Sequence, residues 1–261
     1  MTTRMALSVE YDGSQFYGWQ TQLQGRTVQN EIEKALSQVA DETVQVACAG
    51  RTDTGVHAIG QVIHFDTDAV RSERSWILGA NANLPDDISI HWAKPVDTSF
   101  HARFTAVSRS YRYVILNRPF RSALYQNRCS WHYQPLNVEQ MAMAAQYLVG
   151  EHDFTSFRAL ACQAKHARRN IESLQINRSG DFIIIDITAN AFLHHMVRNI
   201  VGTLLVIGQE QQSPAWVAEL LAAKDRSLAA ATAPSQGLYL VSVRYPSEYE
   251  ILERPITDWM I

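Results

Sequence analysis

The order in which apolar periodicity changes along this chain leaves few folds open to it. MALSVEYDGS reads as a strand closing on an Asp-Gly turn. From Thr27 to Ala40, the residues Val28, Ile32, Ala35, Leu36 and Val39 recur at helical spacing. TVQVACAGR and GQVIHFDT return to strand character. SERSWILGANANLP is helical up to Pro85, and ISIHWAKPV is a further strand. Strand-helix-strand-strand-helix-strand is the ferredoxin-like order.

The second half repeats that order without repeating the sequence. AVSRSYRYVILN predicts a long strand whose one face carries Val107, Arg109, Tyr111, Tyr113 and Ile115. NVEQMAMAAQYLVG predicts a helix capped by Asn137. RRNIESLQINRS and GDFIIIDITAN predict a hairpin around Ser179-Gly180. LHHMVRNIVGTLLVIG is a long apolar helix, SPAWVAELLAAKD a shorter one opened by Pro214, and GLYLVSVRYP a closing strand. The expectation is an α+β protein of two ferredoxin-like subdomains. The first covers 1–104, the second 105–248, and a tail covers 249–261. No low-complexity linker separates the halves, so a cleft between them is the default ligand site.

No run approaches 18 uninterrupted apolar residues, so no membrane span is expected. MTTRMALSVEYDGS lacks a signal-peptide pattern. Cys48, Cys129 and Cys162 are odd in number and show no CxxC spacing. That pattern points to a reducing cytoplasm and away from a disulfide framework or zinc knuckle. Cys48, in an apolar strand, reads as buried filler.

A net charge of -3 conceals an asymmetry. Residues 1–100 hold 7 basic and 13 acidic side chains, 101–180 hold 11 and 4, and 181–261 hold 5 and 9. The basic middle is nearly all arginine, which suits bidentate phosphate contact and stacking on bases. It is either a nucleic-acid footprint or a solvated basic face.

GRTDTGVHA, residues 50–58, contains the Asp-Thr-Gly triplet of aspartic proteases. Those enzymes need two carboxylates sharing a proton. This chain has a single such triplet. A homodimer could supply the second, but the retroviral enzymes that do so are short all-β chains and this one has several helical segments, which argues against that reading. Arg198 lies in the apolar helix HHMVRNIVGTLL and needs a carboxylate partner if buried. Asp53 is the best candidate, as a catalytic pair kept ionised by the arginine or as a purely structural one. Arg109 and Tyr111 share a strand face, which suits base stacking and phosphate contact, or else Tyr111 is a half-buried sheet aromatic. His194 and His195, adjacent on the expected helix, face different sides. No HExxH spacing occurs, so no metal site is expected.

Several of these stretches together resemble one family, the bacterial tRNA pseudouridine synthase A (TruA) family. They are YDGSQFYGWQ, TVQNEIEKAL, AGRTDTGVHA, SFHARF, SRSYRYVILN, GEHDFTSFRA, NAFLHHMVRNIVG and GLYLVSVRYP, in that order from Leu7 to Tyr249. The resemblance implies antiparallel sheets meeting at a central basic cleft, with helices on the outer faces. It implies a homodimer that isomerises uridine to pseudouridine at positions 38, 39 and 40 of the tRNA anticodon stem-loop, without cofactor or metal. Asp53 matches the family's nucleophile, and Arg198 the arginine paired with it. Tyr111 matches the tyrosine that stacks on the target base and can take its C5 proton. Arg51 matches the arginine that holds the flipped nucleotide. Leu238 resembles the apolar residue packing on the uracil. The rival reading is a non-catalytic RNA-binding homologue of the same fold.

Overall fold

In the computed structural model, residues 2–251 are described. By internal contacts the chain forms two compact units. One runs from the N-terminus to Val107 and takes in the chain again from Tyr239; the other is Ser108–Leu238. Residues 252–261, most of the expected tail, lie outside the described residues.

The first unit contains β1 (Thr3–Tyr11), α1 (Val28–Ala40), β2 (Ala47–Cys48), β3 (His57–Thr67), α2 (Glu73–Asn83), β4 (Ile88–Val96) and β10 (Leu238–Arg244). β1 is antiparallel to both β3 and β4; Leu7 faces Ile63 on one side and Ala93 on the other. β3 is buried along almost its whole length. The closing strand β10, which the sequence division put with the second half, runs parallel to β3 with Tyr239 opposite His57. So this sheet is mixed, whereas an antiparallel one was expected. α1 turns Val28, Ile32, Ala35 and Leu36 inward. Fully burying a side chain such as Ile32 or Leu36 stabilises by about 1.5–3 kcal/mol.

The expected strand TVQVACAGR is regular only at Ala47–Cys48. Val44 and Val46 are buried, but their amides donate to side chains of α1, Ser37 Oγ at 2.9 Å and Glu33 Oε1 at 3.0 Å. Helix side chains thus replace the ladder that would have extended the strand.

The second unit contains β5 (Ser108–Asn117), β6 (Ser130–His132), α3 (Val138–Gln146), β7 (Gly150–Asp153), β8 (Arg168–Ser179), β9 (Phe182–Ala189), α4 (Met196–Gly208) and α5 (Trp216–Ala223). Its strands are ordered β5-β9-β8-β7, and β6 adds to β5 in parallel. The β8–β9 hairpin turns at Gly180, whose φ is +57°. β6 and β7 are too short to show a period of two, so the sequence does not reveal them. Val107 precedes β5 and is exposed rather than part of its face. α5 starts at Trp216, two residues past Pro214. No described helix is long and apolar enough to cross a membrane.

Two expectations test these contacts. Asn137 caps α3: its Oδ1 accepts from the Gln140 amide at 3.1 Å, and its Nδ2 donates to Glu210 Oε1 at 2.7 Å. Asn137→Ala should lower stability by about 1 kcal/mol in chemical denaturation; no change would disprove the cap. His64 is buried on β3, and burial lowers its pKa to about 4. The unfolded ring titrates near ~6.5. Its contribution to stability is therefore complete above the unfolded value and falls away between about pH 6.5 and 4 as the unfolded chain takes up the proton. NMR of the ring should show a midpoint near 4; a midpoint at the unfolded value would contradict the burial argument.

Candidate functional site

The loop from Ala49 to Val56 joins β2 to β3 and carries Arg51 and Asp53. It is fixed at its start by Gln61, a fully buried glutamine of β3. Gln61 Nε2 donates to Gly50 O at 2.6 Å and its Oε1 accepts from the Gly50 amide at 3.3 Å. The next anchor is Thr52, also buried, whose Oγ1 lies 2.7 Å from the Tyr11 hydroxyl. Asp53 then opens a turn. Its carbonyl accepts from the Val56 amide at 3.1 Å, and Gly55 takes φ +77°, as the third position of a type II turn requires. Asp53 is half-buried, and Arg51 and Thr54 beside it are exposed.

A second segment, Asp12–Trp19, closes over the outside of this loop. The Trp19 amide donates to Thr52 O at 2.9 Å. Gly18, at φ +85°, sits so close that a Cβ there would lie 2.8 Å from Thr52 O and 3.1 Å from the Asp53 carbonyl carbon. A Cβ on Gly13 would lie 2.0 Å from Val56 O. The two glycines of YDGSQFYGWQ are therefore set by the backbone of the Asp53 loop. Arg26 ties the far end of the segment down. It forks onto Asp87 at 2.6 and 2.8 Å, reaches Glu31 at 3.0 Å and lies 4.3 Å above the Phe16 ring centroid.

His57, just past the loop, braces both parts. Its Nδ1 is 3.0 Å from the Gly13 amide nitrogen and 3.2 Å from Asp12 Oδ1, and its ring stacks on Tyr239 at 4.5 Å. The first contact needs a bare Nδ1 and the second a protonated one, so the two alternate with the ring's tautomer. The hydrogen bond from His57 holds the Asp12 carboxyl well below the usual carboxylate range, and Ser14 assists. Cys48, at the loop's base, is buried, and burial pushes its thiol up to about 12. That fits its reading as filler and not as a nucleophile.

In the second unit, Arg109 and Tyr111 lie on one face of β5, opposite Ala189 and Ile187 of β9. Arg109 Nη1 donates to Asn190 O at 3.0 Å. Tyr111 is buried and meets Phe192 edge-on at 4.9 Å. Both thus meet the turn that leads into α4. Next to Tyr111 and on the other face, Arg112 forks onto Asp186 at 2.8 and 2.9 Å, a partly buried pair. Tyr113 donates to Pro234 O at 2.8 Å, and burial pushes its phenol up, so it stays protonated.

Arg198 projects from the first turn of α4. Its Nε donates to Ala233 O at 2.8 Å, and its own carbonyl accepts from the Ala233 amide at 3.1 Å. Asn199, fully buried, takes Thr232 Oγ1 at 2.7 Å and Arg226 Nη2 at 3.1 Å on its Oδ1. The segment before Leu238 is thereby strapped to α4. Leu238 itself is buried. His194 and His195 do not face different sides of a helix. They precede α4, His195 has φ +60°, and their rings lie 4.0 Å apart. A left-handed residue at the helix start turns the two side chains together.

Sequence reasoning singled out Arg51, Asp53, Arg109, Tyr111, Arg198 and Leu238 as candidates. It missed the supports Gly13, Gly18, Thr52, His57 and Gln61. For Gly13 and Gly18 the signal was present in YDGSQFYGWQ, whose glycines fit no strand or helix.

The family model described as "tRNA pseudouridine synthase" matches residues 7–105 and 144–246. Arg51, Asp53, Arg198 and Leu238 fall inside that match; Arg109 and Tyr111 fall between its two parts. The tRNA pseudouridine synthase A of Cronobacter sakazakii is 56% identical over 97% of this chain and 94% of its own. The proteins of that name from Shigella boydii and Escherichia coli K12 are each 54% identical over the same shares. On this match the chain belongs to the tRNA pseudouridine synthase family, a family of isomerases.

Proposed function

We propose that this protein isomerises uridine to pseudouridine at positions 38, 39 and 40 of the tRNA anticodon stem-loop, with Asp53 as nucleophile. The observation that carries the reading is the presentation of Asp53: a half-buried carboxylate on a turn whose backbone lies tightly against Gly13 and Gly18. Fixing the nucleophile before substrate arrives removes orientational freedom that the reaction would otherwise have to overcome.

The carboxylate attacks C6 of the uracil or C1′ of the ribose. The N1–C1′ bond breaks, the base turns, a C5–C1′ bond forms, and the bond to Asp53 breaks so that the carboxylate is released. The proton leaves C5 and one arrives on N1, so atoms balance with no water consumed. Arg198 is the ion-pair partner of Asp53; the Ala233 contact orients its guanidinium. Tyr111 stacks on the base and can accept the C5 proton. Leu238 packs on the uracil and helps keep the pocket dry. Arg51 holds the flipped nucleotide and Arg109 meets phosphate. The protein acts as a cytoplasmic homodimer and uses no metal.

Asp53→Asn keeps the side chain's shape and removes its charge. It is expected to cut pseudouridine formation in unmodified tRNA by at least ~10³-fold while tRNA affinity stays within about threefold. If affinity and turnover fall together, Asp53 is structural instead. Because arginines supply the phosphate contacts, affinity is expected to fall about 10³-fold or more between 50 and 200 mM salt. A flat response in a binding titration would sink the polyanion reading.

A further inference from the structure

The SFHARF segment takes no part in the bond making proposed above, yet it is closely built. Residues 101–105 close on themselves around His101. The His101 amide donates to Thr105 Oγ1 at 3.2 Å; the Thr105 amide and hydroxyl return to His101 O at 3.0 and 2.7 Å. His101 Nδ1 accepts the amides of Arg103 and Phe104 at 3.1 and 3.3 Å. An accepting ring nitrogen must be unprotonated, and burial with the nearby Arg4 keeps His101 below its usual pKa. The loop is seated on β3: the Ala102 amide donates to His64 Nδ1 at 3.2 Å, and the two histidine rings lie 4.5 Å apart. Phe100 and Ala102 are fully buried beneath it.

What this construction holds outward is the Phe104 ring, 75% exposed. His101 lies 4.3 Å from its centroid and the Arg103 guanidinium 5.6 Å. A single exposed apolar residue on a slack loop needs no explanation. Here a hydrogen-bond network, anchored on the buried His64, fixes the loop that presents it. The position also matters. β2 sets Ala47 opposite His64, and the Asp53 loop begins directly after Cys48. Arg51 from that loop and Arg103 from this one both act electrostatically on the Cys48 thiol. No acidic residue occurs between Phe100 and Val107. A flat ring beside a guanidinium, with no acid in the loop, is complementary to a base and its phosphate.

We propose that Phe104 and Arg103 form a nucleotide platform beside the Asp53 loop, on which an unpaired base of the tRNA stacks while Arg103 meets its phosphate. This rests on tRNA as the substrate and on the Asp53 loop as the catalytic one, and adds a binding subsite to that reading.

The test is the affinity of wild type, Phe104→Ala, Phe104→Leu and Phe104→Trp for an unmodified tRNA transcript, with melting temperature and sedimentation measured on each. Alanine and leucine are expected to weaken binding by roughly 5- to 100-fold, and tryptophan to retain it. Arg103→Gln is expected to lower the salt slope by about one. Leucine binding as well as phenylalanine would overturn the stacking proposal. So would a loss of affinity that tracks a change in oligomeric state, because the ring would then face protein. Failure of wild type to bind tRNA strikes the substrate reading; normal binding by Phe104→Ala strikes only the platform.

Discussion

The Asp53 loop keeps its shape because two glycines let a second stretch of backbone lie against it. At Gly13 a Cβ would fall 2.0 Å from Val56 O, and at Gly18 2.8 Å from Thr52 O. Neither approach leaves room for a side chain, so the contact is made by main chain alone and has little slack. Buried polar groups complete it: Tyr11 on Thr52, Gln61 on Gly50, His57 on Gly13. A turn held in this way presents one carboxylate reproducibly without enclosing it.

The second unit solves a related problem with a helix. Arg198 sits where α4 begins, and the strap from Thr232 to Leu238 is tied to that helix through Ala233 and the buried Asn199. The guanidinium donates to a backbone carbonyl, that of Ala233. Arg109 and Tyr111 meet the same stretch of chain from the sheet side, through Asn190 and Phe192. Three of the residues singled out in the sequence thus converge on the entrance to one helix.

Much of this was legible beforehand because long amphipathic elements announce themselves: α1, β5 and the β8–β9 hairpin stand where the periodicity puts them. The losses have local causes. β2 shrank because Ser37 and Glu33 of α1 took over its amides. α4 starts later than its apolar run because His195 adopts a left-handed backbone that no pattern of apolar residues encodes. The parallel pairing of β10 with β3 joins residues far apart in the chain, beyond any local signal. At the candidate site, the residues proposed to do chemistry were singled out largely through a family resemblance, which did not single out the glycines and buried polar groups packed around the Asp53 loop. A supporting glycine shows its reason only when the backbone it touches is in view.

The account stands on the claim that backbone contact at Gly18 positions Asp53. The direct measurement is kcat and KM for tRNA in Gly18→Ala, at a temperature where circular dichroism shows the protein folded. Displacing the loop by a fraction of an ångström is expected to lower kcat by about tenfold or more with KM nearly unchanged. An unchanged kcat, or a loss confined to KM, would contradict it.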